Sequence, residues 1–242
     1  METKTIIILI VLYFIAAITV FGSGNSGEVP DNENETKTEV QVGIYSGYVF
    51  SPHIIDAHGE HGTFFGQSFD VSVEGIDIEQ SWVIGINARY YFTDYFGIDA
   101  DALYSQAKFP EQQVTLQGYT INQPKSDLDF FTISIGPGVR YKDDGIWQSL
   151  NPYASVALSI LFGGASDVDL SPVYGHGGSS SLNGIGFNLH FGIQYKFNHF
   201  VVSLEYRFDY IDLEVDHFRS FTKGLSLTKS GSYIMLGGNY SF

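Results

Sequence analysis

The 242-residue chain contains no cysteine. That excludes disulfides, thiolate metal sites, a cysteine nucleophile and a lipid anchor attached through an N-terminal cysteine. Positive charge is also scarce: 12 Lys and Arg stand against 27 Asp and Glu, for a net charge of −15. A basic surface for nucleic acid is thereby excluded, while an acidic balance keeps loops soluble without naming a partner. The mean hydropathy of +0.02 is too low for a bundle of membrane helices. A hydrophobic share of 44% is too high for a disordered chain. The one long apolar run, Ile6 to Phe21, is shorter than the roughly 20 residues that a spanning helix prefers.

Aromatics and glycine are abundant, with 20 Phe, 16 Tyr and 27 Gly. They are arranged most clearly between Gly184 and Tyr210. Ile185, Phe187, Leu189, Phe191, Ile193, Tyr195 and Phe197 alternate with Gly186, Asn188, His190, Gly192, Gln194 and Lys196. After Asn198-His199 the alternation resumes, with Phe200, Val202, Leu204, Tyr206, Phe208 and Tyr210 apolar. A period of two marks strands, because successive strand side chains point to opposite faces, and two runs around two polar residues make a hairpin. A soluble barrel would carry Lys and Glu on its outer face. Here the polar face is mostly Gly, Ser, Asn and Gln, and the apolar face is continuous and ends in aromatics. Such a strand turns its apolar face to lipid and its small polar face to a barrel interior.

Taken in order, Met1 to about Gly24 reads as a secretory signal. Lys4 supplies the positive region, the apolar run follows, and Gly22, Ser23 and Gly24 offer cleavage positions. Residues 25–39 are polar and acidic and read as a flexible leader. Eight alternating runs follow over residues 40–242: Val40–Phe50, Ser81–Phe92, Tyr95–Gln106, Leu128–Tyr141, Pro152–Gly163, the two arms of the hairpin above, and Ser232–Phe242. Each meets the roughly 9–11 residues that a tilted membrane strand needs. The connections after runs one, three, five and seven are long and polar; those after two, four and six are shorter. Long loops all at one end fit a closed all-β, eight-stranded antiparallel transmembrane barrel, an up-and-down meander with extracellular loops and periplasmic turns.

Parity places Arg89, Asp99, Asp101, Arg140, Lys196, Glu205, Arg207 and Asp209 on the inner face. An eight-stranded barrel is just wide enough for side chains to fill, so these charges are expected to form a paired structural network. Matching the inner faces across the turns puts Arg89 opposite Asp99, His190 opposite Arg207 and Gly192 opposite Glu205. His53, Asp56, His58, Glu60 and His61 cluster in the first long loop, without a recognised metal spacing, and read as solvated loop. His190, Ser203 and Asp209 share the inner face, but the register sets His190 nearer Arg207 than Ser203, so no catalytic residue, cofactor site or metal site is expected.

The chain resembles the small outer-membrane β-barrel proteins of Gram-negative bacteria typified by the OmpA transmembrane domain. The resemblance spans about Val40 to Phe242 and includes the ending Gly237-Gly238-Asn239-Tyr240-Ser241-Phe242. Gly237, Tyr240 and terminal Phe242 look like the signal read by the barrel assembly machinery; Met235, where that signal commonly has a polar residue, is a mild departure. The resemblance implies residence in the outer membrane among its lipids and lipopolysaccharide, and contact with the assembly machinery during biogenesis. It also implies a non-enzymatic structural or surface-interaction role through the loops, whose ligand it does not name. The alternatives are a narrow pore or lateral route for small hydrophobic solutes and, less favoured, a lipid A-modifying enzyme.

Overall fold

A computed structural model describes residues 38–59, 81–109, 126–142, 149–168, 178–216 and 225–242, with short pieces within 62–79 and 112–123. Residues 1–37, and so the whole of the expected signal and nearly all of the leader, lie outside the described residues. Eight long strands form the wall: β1 Glu39–Gly59, β2 Ser81–Tyr91, β3 Phe96–Phe109, β4 Ser126–Arg140, β5 Leu150–Val168, β6 Gly178–Phe197, β7 Phe200–Asp216 and β8 Leu225–Ser241. Each pairs antiparallel with the next, and β1 pairs with both β2 and β8, which closes the sheet into a barrel. Closure matters physically because it leaves no row of unpaired backbone groups. The fold is the eight-stranded up-and-down barrel that the alternation implies.

Local chemistry explains the tight end. At the β2–β3 turn, the Thr93 hydroxyl accepts from the backbone N–H of Phe96 at 2.8 Å, the side-chain version of a turn. At the β6–β7 hairpin, Asn198 has φ of 53°. A two-residue hairpin turn needs positive φ, and Asn adopts it more readily than other side chains.

The outer wall is apolar. Leu158, Ile185, Ile84 and Leu236 are 60–70% exposed, and no soluble surface of this size gathers so many. Aromatics ring its tight end: Tyr95, Phe96, Tyr141, Phe197, Phe200 and Phe242 are all at least half exposed. At the loop end Trp82 lies edge-on to Tyr48 and Phe187 stacks on Tyr210. Two aromatic belts around an apolar band match the two interfaces of a bilayer.

The strands run further than the lipid-facing pattern suggests. β1 continues past Phe50, β5 past Gly163 and β7 past Tyr210, while β6 and β8 begin before Gly184 and Ser232. From the loop-side ends of the runs into these extensions the pattern inverts. Gln106, Lys108, Asp127, Asp129 and Asp212 are exposed on the outside, while Leu128, Leu161, Ile211 and Leu213 are 0–1% exposed on the inside. The apolar-out signal stops where water replaces lipid, and the strand continues with its faces exchanged. Six residues beyond Tyr210, at about 3.3 Å each and a tilt of about 40°, raise a collar about 15 Å high. His53, Asp56 and His58, read as loop, therefore belong to the backbone of β1, with His53 opposite Ser230 and His58 opposite Ser226; Glu60 and His61 lie outside the described residues.

Replacing Leu204, outward-facing and 53% exposed, by Arg is expected to lower stability in lipid vesicles by about 2–4 kcal/mol. Denaturant titration of the folded fraction measures it; no loss would mean that this face does not meet hydrocarbon.

Candidate functional site: the filled lumen

The interior is layered from the tight end upward. At the floor Glu39, the first residue of β1, accepts from the Lys196 ammonium at 2.7 Å and the Ser241 hydroxyl at 2.7 Å, and pairs with Arg140 at 2.7 Å. Arg140 lies over the Tyr91 ring at 3.7 Å and donates to the Asp94 carbonyl. The polar, acidic composition of residues 25–39 predicts a flexible leader through Glu39; Glu39 is a structural corner instead. The strand begins one residue earlier because three donors from β4, β6 and β8 converge on its carboxylate.

Above the floor sits Arg89, 2% exposed. Its Nε donates to Asp99 at 3.3 Å, and its Nη2 donates to Glu205 at 2.9 Å and to the phenols of Tyr45 and Tyr153 at 2.5 and 2.9 Å. The guanidinium also lies 4.3 Å over the Tyr153 ring. Ser203 donates to Glu205 at 2.7 Å, and Ser155 to Asp99 at 3.0 Å. Small residues make room for the two tyrosines. A Cβ on Gly192 would stand 2.5 Å from the Tyr153 ring, and one on Gly237 would collide with Ser203 and Tyr45. The glycines of the inner face are thus the complement of the rings that hold Arg89.

The next layer is built on Arg207, which is fully buried. It pairs with Asp101 at 2.7 Å and with Asp209 on its own strand, and donates to Ser134 at 3.1 Å. Ser159 and Asn188 extend this layer around the wall. His190 lies between the two layers, its Nδ1 3.8 Å from Asp99 and its Nε2 3.7 Å from Asp101. Lys229 comes last, buried, donating to the Tyr233 phenol at 2.9 Å and 5.3 Å from the Phe130 ring. The sequence pattern puts it in the loop before Ser232, although Lys229, Gly231 and Tyr233 share the parity of the inner face. On the tight-end side of it Val49, Val83, Leu103 and Met235 form an apolar cluster with Tyr233 inside the wall.

The register sets Arg89 opposite Asp99, His190 opposite Arg207 and Gly192 opposite Glu205, as the turns require. The structure brings Asp99, Asp101, Glu205, Arg207 and Asp209 together around the two arginines, and places Arg140 and Lys196 at the floor. Ser203 is engaged by Glu205 rather than by His190, so no nucleophile–base pair forms there. Beside Arg89, Asp99 and Ser155 a cavity of about 10 Å³ remains, room for about one water. Of the terminal segment, Gly237 faces inward and Tyr240 outward, where it packs against Phe200 and Phe242.

A closed eight-stranded wall with an apolar outside between aromatic belts and a polar, side-chain-filled inside defines a small transmembrane β-barrel of the outer-membrane type. The family model described as "Outer membrane protein beta-barrel domain" matches residues 19–237, and the chain belongs to that family. No match is found among curated proteins. Among solved structures, OprG from Pseudomonas aeruginosa is 15% identical, with 88% of this chain and 99% of that one covered and a TM-score of 0.52. Neisserial surface protein A (16% identity, 85% and 97% covered, TM-score 0.46) and Ail of Yersinia pestis (18%, 84% and 99%, 0.41) are further structures it resembles.

Replacing Arg207 by Met strands Asp101 and Asp209 in a water-poor interior, and an expected 3–5 kcal/mol of stability is lost. The Lys142–Asp94 pair at 2.7 Å is 40% and 49% exposed, and Lys142→Ala is expected to change stability by less than about 1 kcal/mol. Urea unfolding of the two variants in one micelle system checks the contrast.

Proposed function

We propose that the protein is a non-enzymatic outer-membrane barrel with a structural or surface-interaction role, holding long extracellular loops above the cell surface on a rigid, sealed body. What supports this reading is the lumen: charged and aromatic side chains fill it at membrane depth and apolar ones fill it in the collar, with room beside Arg89 for about one water. A wall of eight strands with such an interior argues against an aqueous passage. In this reading the chain is exported behind a cleaved signal and handed to the barrel assembly machinery through Gly237, Tyr240 and Phe242. Membrane lipids and lipopolysaccharide surround it, and a ligand meets it at the loops.

One observation favours a second reading, a route for small hydrophobic solutes. The inner face of the loop-side half is apolar, with Leu103, Phe130, Leu161 and Leu213 pointing inward. Aqueous pores line themselves with polar groups; this half would suit an apolar solute if its side chains parted.

Refolded protein in planar bilayers is expected to show no reproducible conductance, and vesicles carrying it are expected to take up an apolar dye no faster than protein-free vesicles. Steady channels, or uptake lost when Leu103 is replaced by Asp, would overturn the sealed-body reading.

A further inference from the structure

The charges enclosed at membrane depth do not balance layer by layer. Arg89, Arg207 and Lys229 supply three positive charges, while Asp99, Asp101, Glu205 and Asp209 supply four negative ones, all buried. At the floor Arg140 and Lys196 share the single carboxylate of Glu39, a surplus of one positive charge, so the interior sums to zero and the negative excess is local to the two arginine layers around His190. An uncompensated negative charge in this interior is costly.

One group stands where a proton would remove it. His190 is 1% exposed, and neither ring nitrogen has a hydrogen-bond partner. Its Nδ1 faces Asp99 and its Nε2 faces Asp101, each slightly beyond bonding distance. Arg207 of β7 and Ser155 of β5 stand opposite it in the register; Arg207 carries Asp209 and lies by Tyr233 of β8, to which Lys229 is bonded, and Arg89 of β2 carries Glu205, Tyr45 and Tyr153. The one-water cavity touches Asp99 and Ser155 on the floor side, with room for a water beside that end of the line.

We propose that Asp99, His190 and Asp101 form a single proton-binding site that couples the two ion-pair layers. Hydronium from the solvent delivers the proton and leaves as water; the proton is shared between His190 Nε2 and Asp101 Oδ2 while His190 Nδ1–H turns to Asp99. One O–H bond of hydronium breaks, one O–H or N–H bond forms at the site, and the local negative excess falls by one. The consequence falls on Arg207, whose bond to Asp101 weakens while that to Asp209 stays. The upper layer, directly under the apolar collar, is therefore looser in acid than in alkali.

The test is the imidazole nitrogen spectrum of His190 in ¹⁵N-histidine-labelled protein, followed in micelles from about pH 8.5 to about pH 4.5, where a histidine–carboxylate site is free to titrate. The proposal expects one transition at both ring nitrogens, assigned with His190→Gln. Asp101→Asn, nearly the same size but one negative charge poorer, is expected to abolish it; Asp99→Asn is the second variant should that one not fold. Flat resonances across the range, or a transition unchanged in both carboxamide variants, would overturn the site. A transition that calcium displaces in proportion to its concentration would assign the site to a metal ion and overturn it equally.

Discussion

A guanidinium removed from water must be met on every side, and two such groups organise the interior of this barrel. Arg89 draws partners from β1, β3, β5 and β7, namely Tyr45, Asp99, Tyr153 and Glu205. Arg207 draws Asp101 from β3, Ser134 from β4 and Asp209 from β7. No hairpin or half-barrel supplies either set. Each arginine is therefore satisfied only in the closed barrel, and in only one register, since a one-residue slip would turn a whole strand's charges into lipid. The two ion-pair layers specify closure more than they add stability, because a buried pair gains little over a well-packed apolar one.

The same sheet serves two solvents. At membrane depth the outer face is apolar and the inner face polar; in the collar Asp129 and Asp212 point outward while Leu128 and Ile211 point inward. Neither half would be stable in the other's surroundings. The inversion fixes the depth of the barrel without any anchor: moving it down would drag the acidic collar into hydrocarbon, and moving it up would expose Trp82 and Leu158 to water. The aromatic belts mark the same boundary from the outside.

This division also explains what could be read from the sequence. Strand number, loop ends and cross-strand partners such as His190 and Arg207 followed from parity, which depends only on backbone geometry. The strand extensions did not follow, because the search for apolar-out alternation ends where the outer face becomes wet. Lys229 was lost with them, being an inward position of a strand whose visible part began at Ser232. Glu39 was lost for a different reason: an acidic residue at the end of an acidic stretch carries no local mark of the Arg140, Lys196 and Ser241 groups that fold brings to it. The tyrosines at Arg89 were visible as inner-face residues, but their role depends on the space left by Gly192 and Gly237 directly opposite them on the neighbouring strands.

Glu39 completes the argument about closure. It is the first residue of the first strand, and its partners include Ser241, the last residue of the last strand. The seam between β1 and β8 is the pairing of greatest sequence separation, so its loop-closure cost falls on the final step of assembly. The floor contacts act on that step, since Arg140 and Lys196 come from strands on the far side of the barrel and reach Glu39 only when both ends of the sheet are in place. Above the floor, Gln194 donates to Gln41 at 3.2 Å across the same enclosed space. Polar contacts spanning the barrel thus reward a closed wall over an open, twisted sheet. What fills the lumen is in this sense the closing device of the wall, and the chemistry that meets the outside is left to the segments that the collar carries.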